Sequence, residues 1–306
     1  MQLHPRRPIT ASFSILAFLA VLAIATPAAA QQPPPTFPQS LTELTRLNED
    51  TYAFRSGGYV SMFITTDEGV IVVDPIGGGD NRNNPEALKA AIATVTDQPV
   101  RYLVYSHASP DHASGGEVFA DTAEFVGHRN TLVALEAAND PRRPVPSIAF
   151  DDTLWLELGG KRVELRWSAL NTQDTFVTVH YRNVFMAVDN IRLRSIPFAA
   201  LPRGSAESLI AWIERLESDP NWEMFLFGHS NGPIVIGARE DARQYREYIE
   251  DLTVAIRAAR AAGHADNSDE MIADVRAKLA QRYGTWGGFA NMLGPNIRGV
   301  IRWWST

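Results

Sequence analysis

An apolar run, Val100 to Tyr105, ends abruptly in Ser106-His107-Ala-Ser109-Pro-Asp111-His112. No other feature constrains the fold as tightly. A short apolar run bounded by turn residues reads as a buried strand. A buried strand that delivers two histidines and an aspartate within six residues must open at an edge of its sheet. The same arrangement recurs further on. Asp189 follows the apolar run Val184 to Val188, and His229 follows Glu223 to Phe227 behind Gly228. Neutral imidazole and carboxylate are the ligands that borderline and hard divalent cations take when no thiolate is present. The chain has no cysteine, which removes disulfides, thiolate sites and cysteine nucleophiles together. A histidine or aspartate at one strand end is ordinarily a loop residue or a helix cap. Several such ends in one chain favour a shared metal site.

The strand pattern gives the frame. Thr51–Arg55, Tyr59–Thr65 and Gly69–Asp74 are short β-branched and aromatic runs, turned by Gly57-Gly58 and Asp67-Glu68-Gly69. Helical spacing follows over Pro85–Thr94 and Asn130–Ala138, with a strand at Glu124–Gly127 between them. A second series covers Thr153–Leu158, Arg162–Ser168, Asp174–Tyr181 and Val184–Val188. A helix at Ser205–Leu216 precedes the strand that ends at Phe227. Two β-rich halves, each with its own helices, predict an α+β fold: a four-layer αββα sandwich of two mixed β-sheets with helices outside. The reading divides the chain into a leader (1–30), a Pro-rich tether and first turn (31–50), the sandwich (51–237) and a C-terminal helical extension (238–306) packed on it. In that extension Trp286, Phe289, Trp303 and Trp304 form an aromatic, Gly-rich tail. It is expected to pack on the core; left exposed, it would suggest a lid or a homodimer contact.

The leader is an address. Arg6 and Arg7 precede an eleven-residue apolar run, Ile15 to Ala25, and Ala28-Ala29-Ala30 supplies small residues for a signal peptidase. A spanning helix needs about 20 apolar residues, so no stable membrane anchor is expected. Cleavage after Ala30 places the protein in the periplasm or outside the cell. The formal net charge of −7 excludes a basic face for nucleic acid and docking on anionic lipid. A small-molecule substrate is the partner expected.

The stretch Phe54 to Gly232 resembles the metallo-β-lactamase superfamily, αββα sandwiches of metal-dependent hydrolases. Gly69-Val-Ile-Val-Val-Asp74 is similar to the family's opening hairpin and loop aspartate. The family pattern His-x-His-x-Asp-His stands here as His107-Ala-Ser109-Pro-Asp111-His112. Phe125-Val-Gly-His128 resembles the next strand, with His128 structural, and Asp189 and Gly228-His229 match the later ligands. Two family histidines are replaced, one by Ser109 and one by Asn171. The resemblance therefore implies one disabled tri-histidine site and one complete site of Asp111, His112, Asp189 and His229. Such a set would hold one divalent metal ion, zinc foremost, with iron or manganese as alternatives.

The reaction implied is metal-assisted hydrolysis of an ester, lactone or amide-type bond. Asp111 and His107 are the candidate bases, and Ser109 and Asn171 the candidate oxyanion or substrate contacts. Two rivals stand beside it. A non-catalytic binding protein would keep the fold without turnover. A serine esterase would use Ser230 in Gly228-His-Ser230-Asn-Gly232, which has the spacing of a nucleophile elbow but is followed by Pro233 rather than a helix.

Overall fold

A computed structural model describes residues 42–78, 84–198, 201, 204–230 and 232–304. The leader and most of the tether lie outside the described residues. The first sheet has seven strands in chain order: β1 (Thr42–Arg46), β2 (Thr51–Ser56), β3 (Tyr59–Thr66), β4 (Gly69–Val73), β5 (Val100–Val104), β6 (Glu124–His128) and β7 (Ile148–Phe150). Pairing is antiparallel from β1 to β4 and parallel from β4 to β7. Parallel neighbours need crossover connections. These carry α1 (Pro85–Ala93), the single turn α2 (Pro110–Ala113), a 3-10 turn at Gly116–Phe119, and α3 (Arg129–Ala138).

The second sheet runs β13-β12-β11-β10-β9-β8, from β8 (Thr153–Leu158), β9 (Lys161–Trp167), β10 (Val177–Tyr181), β11 (Val184–Ala187), β12 (Met224–Phe227) and β13 (Ile236–Gly237). Its one parallel pair, β11 with β12, is spanned by α4 (Ala206–Ser218). Three more helices follow: α5 (Arg239–Ala261), α6 (Asp269–Tyr283) and α7 (Phe289–Trp303).

Three apolar clusters show why the layers stack. Val60, Met62, Ile64, Ile71 and Val73 meet Val163, Leu165, Val179 and Met186 between the sheets. Phe63, Val72 and Leu103 turn the other way, against Leu88 and Ile92 of α1 and Leu135 of α3. Phe185 and Phe225 leave the second sheet on its outer side to meet Trp212 of α4 and Tyr245, Tyr248 and Leu252 of α5. Strands buried on both faces explain the unbroken apolar sequence of β4 and β5. The order is helix, sheet, sheet, helix, as the pattern predicts.

Four details depart from the sequence reading. Thr42–Arg46, assigned to the tether and first turn, is a strand at the edge of the first sheet. The short strands β7 and β13 carry too few residues for a periodic signal. β10 begins at Val177 rather than Asp174, because Asp174 is spent on a turn: its carboxylate accepts from the Leu170 and Phe176 amides. Most of the aromatic tail is helical, as α7, while Trp286, Phe289, Trp303 and Trp304 pack on the α4–α6 core as the sequence predicts. Asn296 of α7 is fully buried; it accepts from Tyr248 Oη and donates to the Pro197 and Phe198 carbonyls. Gly299 lies so close to Leu201 that a Cβ there would fall 2.1 Å from Leu201 Cδ1. Through these contacts the extension holds Pro197, Phe198 and Leu201.

At the end opposite the strand termini just described, Asp50 clamps the sheets. It is 3% exposed and receives Lys161 Nζ at 2.7 Å, Arg182 Nη2 at 2.9 Å and Tyr181 Oη at 3.0 Å. Burial alone would raise its carboxyl pKa; these three partners outweigh that and hold it below the usual value. The folded pKa is therefore depressed, so the clamp contributes above the unfolded value of about 4 and is lost as pH falls through the folded one. Asp50→Asn should cost about 2 kcal/mol in urea unfolding at pH 7. The gap to the parent protein should shrink below pH ~4; a gap constant with pH would contradict the clamp.

Candidate metal centre

Every group singled out at a strand end lies at the same edge of the sandwich. β4 ends in Asp74, which is fully buried with a φ of 61°. Its Oδ1 accepts from the Ser106 amide at 2.7 Å and its Oδ2 from Ser106 Oγ at 2.6 Å. The same Oδ2 lies 3.1 Å from His112 Nδ1. Ser106 Oγ is also 2.9 Å from His107 Nδ1. Since the serine proton goes to Asp74, His107 Nδ1 must donate to Ser106, and His112 Nδ1 donates to Asp74. Each Nε2 of a neutral ring is then an unprotonated lone pair.

Those lone pairs converge. His112 Nε2 lies 2.9 Å from His229 Nε2, and His229 Nε2 lies 2.8 Å from Asp189 Oδ1. His107 Nε2 is 3.3 Å from Asp189 Oδ2, and Asp111 Oδ2 is 3.8 Å from His112 Nε2. Two donor groups, His107–Asp111–His112 and His112–Asp189–His229, share His112, with the atoms of each group within 4.8 Å of one another. Burial alone would raise the Asp189 carboxyl; an N–H or positive charge facing it, which His107 and His229 supply when they carry a proton on Nε2, holds it well below the usual carboxylate range. Burial lowers His112 while Asp74 raises it, and Asp74 prevails. For His229 burial prevails over Asp189, and the ring is pushed toward the neutral form.

The two sheets bring these residues together through the main chain. Val60 N donates to Gly228 O at 2.8 Å, Ser230 N to Gly58 O at 3.0 Å, and Val177 N to Ser106 O at 2.7 Å. Gly228 allows this approach, because a Cβ there would lie 2.6 Å from Val188 Cγ1 and 3.1 Å from His112 Cε1. α2 begins at Pro110, a favourable first helical residue, and its first turn presents Asp111. Asp111 is partly open while His107 and His112 are buried.

A cleft of about 580 Å³ lies over the cluster, bordered by Tyr59, Ser109, Asp111, Phe176, Phe198 and Leu201, among others. Phe176 stacks on His107 at 4.6 Å, and Tyr59 and Phe198 flank His229 at 4.8 and 5.3 Å. Arg192 lies 3.8 Å over the Phe198 ring and donates to the Ile196 carbonyl.

Asp111, His112, Asp189 and His229 are thus gathered as the sequence requires, and His107 joins them. His107 is a poor candidate for a mobile proton shuttle: it is 1% exposed, tied at Nδ1 and covered by Phe176. Ser109 faces the cleft with no capping bond. Asn171 is not among the residues bordering the cleft; its Oδ1 accepts from the Gln173 amide in a local turn. Ser230 is no nucleophile elbow, because its hydroxyl donates to the Gly232 and Pro233 carbonyls and the chain runs on to β13 rather than into a helix. His128 caps α3 and stacks on Trp167, a structural role. Burial pushes the pKa of His180 down to about 4, with its ring beside Thr178 Oγ1. Ser106, Tyr59, Phe176 and Phe198 carry no sequence signal of their own, although Ser106 borders the motif.

Residues 56–229 match the family model described as the metallo-beta-lactamase superfamily. Among solved structures, a metallo-beta-lactamase from Pontibacter korlensis is similar at 16% identity and a TM-score of 0.58, over 69% of this chain and 99% of that one. The stereoselective inverting sec-alkylsulfatase Pisa1 from Pseudomonas sp. is similar at 13% identity and 0.60, over 86% of this chain and half of that one. Metallo-beta-lactamase IND-7 is similar at 14% and 0.57, over 68% and 98%. At these identities the likeness is one of fold. No curated protein matches.

Ser106→Ala should leave the fold intact and weaken divalent metal binding about tenfold, read by competition with a chromogenic chelator. Unchanged affinity would contradict the orienting role of the Asp74–Ser106 pair.

Proposed function

Because the chain belongs to the metallo-beta-lactamase superfamily, we propose that it is a hydrolase that holds one divalent metal ion, zinc foremost, and cleaves an ester, lactone or amide-type bond. The observation that carries this reading is a buried nitrogen. Among the described residues, buried His107 Nε2 makes no hydrogen bond of good geometry and faces Asp189 Oδ2 at 3.3 Å. A lone pair facing a carboxylate is unfavourable unless a cation joins them. Three imidazole nitrogens and two carboxylates in one cluster suit such an ion. Asp111, His112, Asp189 and His229 would hold it, with His107 as a further donor. Because Ser109 and Asn171 replace two histidines of the family pattern, one ion is the expected complement.

When bound, a divalent cation supplies Lewis acidity toward a carbonyl oxygen and lowers the pKa of water. The rest falls to the chain. Asp111 borders the cleft with its carboxylate partly open, and a carboxylate oxygen there takes the proton of the attacking water. The Ser109 hydroxyl donates toward the oxygen on which negative charge develops. Phe176, Phe198 and Leu201 keep bulk water from that point. The cleft suits a small-molecule substrate, and the leader supports a periplasmic or secreted location.

The test is a panel of chromogenic esters, lactones and lactams with metal-loaded protein. Turnover should vanish with a chelator and return with zinc. Asp189→Asn and His229→Ala should each lower it at least about 100-fold. Turnover indifferent to chelation would overturn the reading. Metal uptake without turnover of any substrate would favour a binding protein.

A further inference from the structure

Besides His107 Nε2, the described residues of the cleft include one more buried polar atom without a hydrogen-bond partner, Asn190 Oδ1. Asn190 is 1% exposed and follows Asp189 directly. Its position is fixed at two points. The Asn190 amide donates to Val188 O at 2.7 Å, closing a three-residue turn around Asp189, whose φ is 63°. That positive φ is the strained hand of such a turn. The side chain is anchored at its other end, where Nδ2 donates to Ser168 Oγ at 3.1 Å. Ser168 is itself buried, and its amide donates to the Phe176 carbonyl at 2.9 Å. A tight turn therefore places a ligand carboxylate and a carboxamide side by side, one turned to the cluster and the other bordering the cleft.

A buried acceptor left bare is destabilising, and folds keep few of them. Here the surroundings offer the acceptor little else. Phe176, Phe198, Leu201 and Ala134 line the same cleft and cannot donate, and the Tyr59, Ser109 and Thr175 hydroxyls that also line it make no hydrogen bond to this oxygen. A ligand that enters it brings the missing donor, or leaves the oxygen desolvated with nothing in return. The discrimination is strong for that reason: a site built to accept a hydrogen bond disfavours the analogue that lacks one.

We propose that Asn190 Oδ1 accepts a hydrogen bond from an N–H or O–H group of the substrate, next to the group drawn to the His–Asp cluster. The cleft then selects acyl compounds that carry such a donor together with an apolar arm. Asn190 is in this sense a specificity-determining residue. The inference rests on the metal-hydrolase reading, since it takes the cluster as the point that orients the ligand.

The test uses zinc-loaded full chain and two probes, benzohydroxamic acid and its N-methyl derivative, which differ in one N–H. Calorimetry gives both dissociation constants, and metal content is measured alongside. The parent protein should bind the N–H probe about tenfold more tightly. Asn190→Leu should bring the ratio close to one with zinc content unchanged. Ser168→Ala, which only releases the anchor, should reduce the ratio and serves if the first variant does not fold. A ratio near one in the parent, or the same ratio in parent and variants, overturns the proposal while leaving the hydrolase reading intact. A parent protein that takes up no zinc and binds neither probe overturns both.

Discussion

The Asp74 carboxylate is the interaction on which the rest of the site depends. It is fully buried at the end of β4, and its oxygens receive the Ser106 amide and hydroxyl and face the His112 ring. One acid thereby fixes the residue that leads out of β5 and a histidine on α2, and through Ser106 it fixes His107 as well. A carboxylate with no water around it is tolerable only when such donors surround it. The arrangement is therefore mutual: Asp74 orders the histidine loop, and the histidine loop makes Asp74 affordable.

The second sheet answers with a different device. Its contribution comes from chain ends forced into uncommon backbone shapes. Asp189 adopts a positive φ just past β11, as Asp74 and Ile76 (48°) do just past β4. Residues held this way cost on the order of 1–3 kcal/mol each and gather at functional sites. Gly228 leaves room for Val188 and the His112 ring, which a Cβ there would crowd, and three main-chain hydrogen bonds close the gap between the sheets. The extension after β13 acts at one remove, holding Pro197 and Phe198 through Asn296 and Leu201 through Gly299. The cleft therefore has a floor set by the sandwich and a wall set by the added helices.

How far the sequence discloses this depends on range. Apolar runs buried on two faces, Gly turns and polar residues at strand ends are local, so the two sheets, their order, the four candidate ligands and the candidate base His107 are legible in it. β1 is not, because its register with β2 depends on tertiary pairing and its residues alternate between exposed and half-buried. The aromatic residues after Trp286 read as a tail packed on the core rather than as a helix, because Gly and Pro interrupt them; packing against α5 and α6 makes them helical. The role of Asn171 misleads because its position matches the family pattern, whereas a side-chain turn to Gln173 decides where it points. Asn190 carries no pattern at all. Only its burial beside a ligand carboxylate distinguishes it.

The central claim is that donors drawn from both sheets close around a single cation. Native mass spectrometry of the metal-free chain titrated with zinc tests this most directly. The account predicts uptake that stops at one ion per chain, and a species that stays metal-free once both Asp189 and His229 are replaced. Two tightly held ions, or none at stoichiometric zinc, would contradict it.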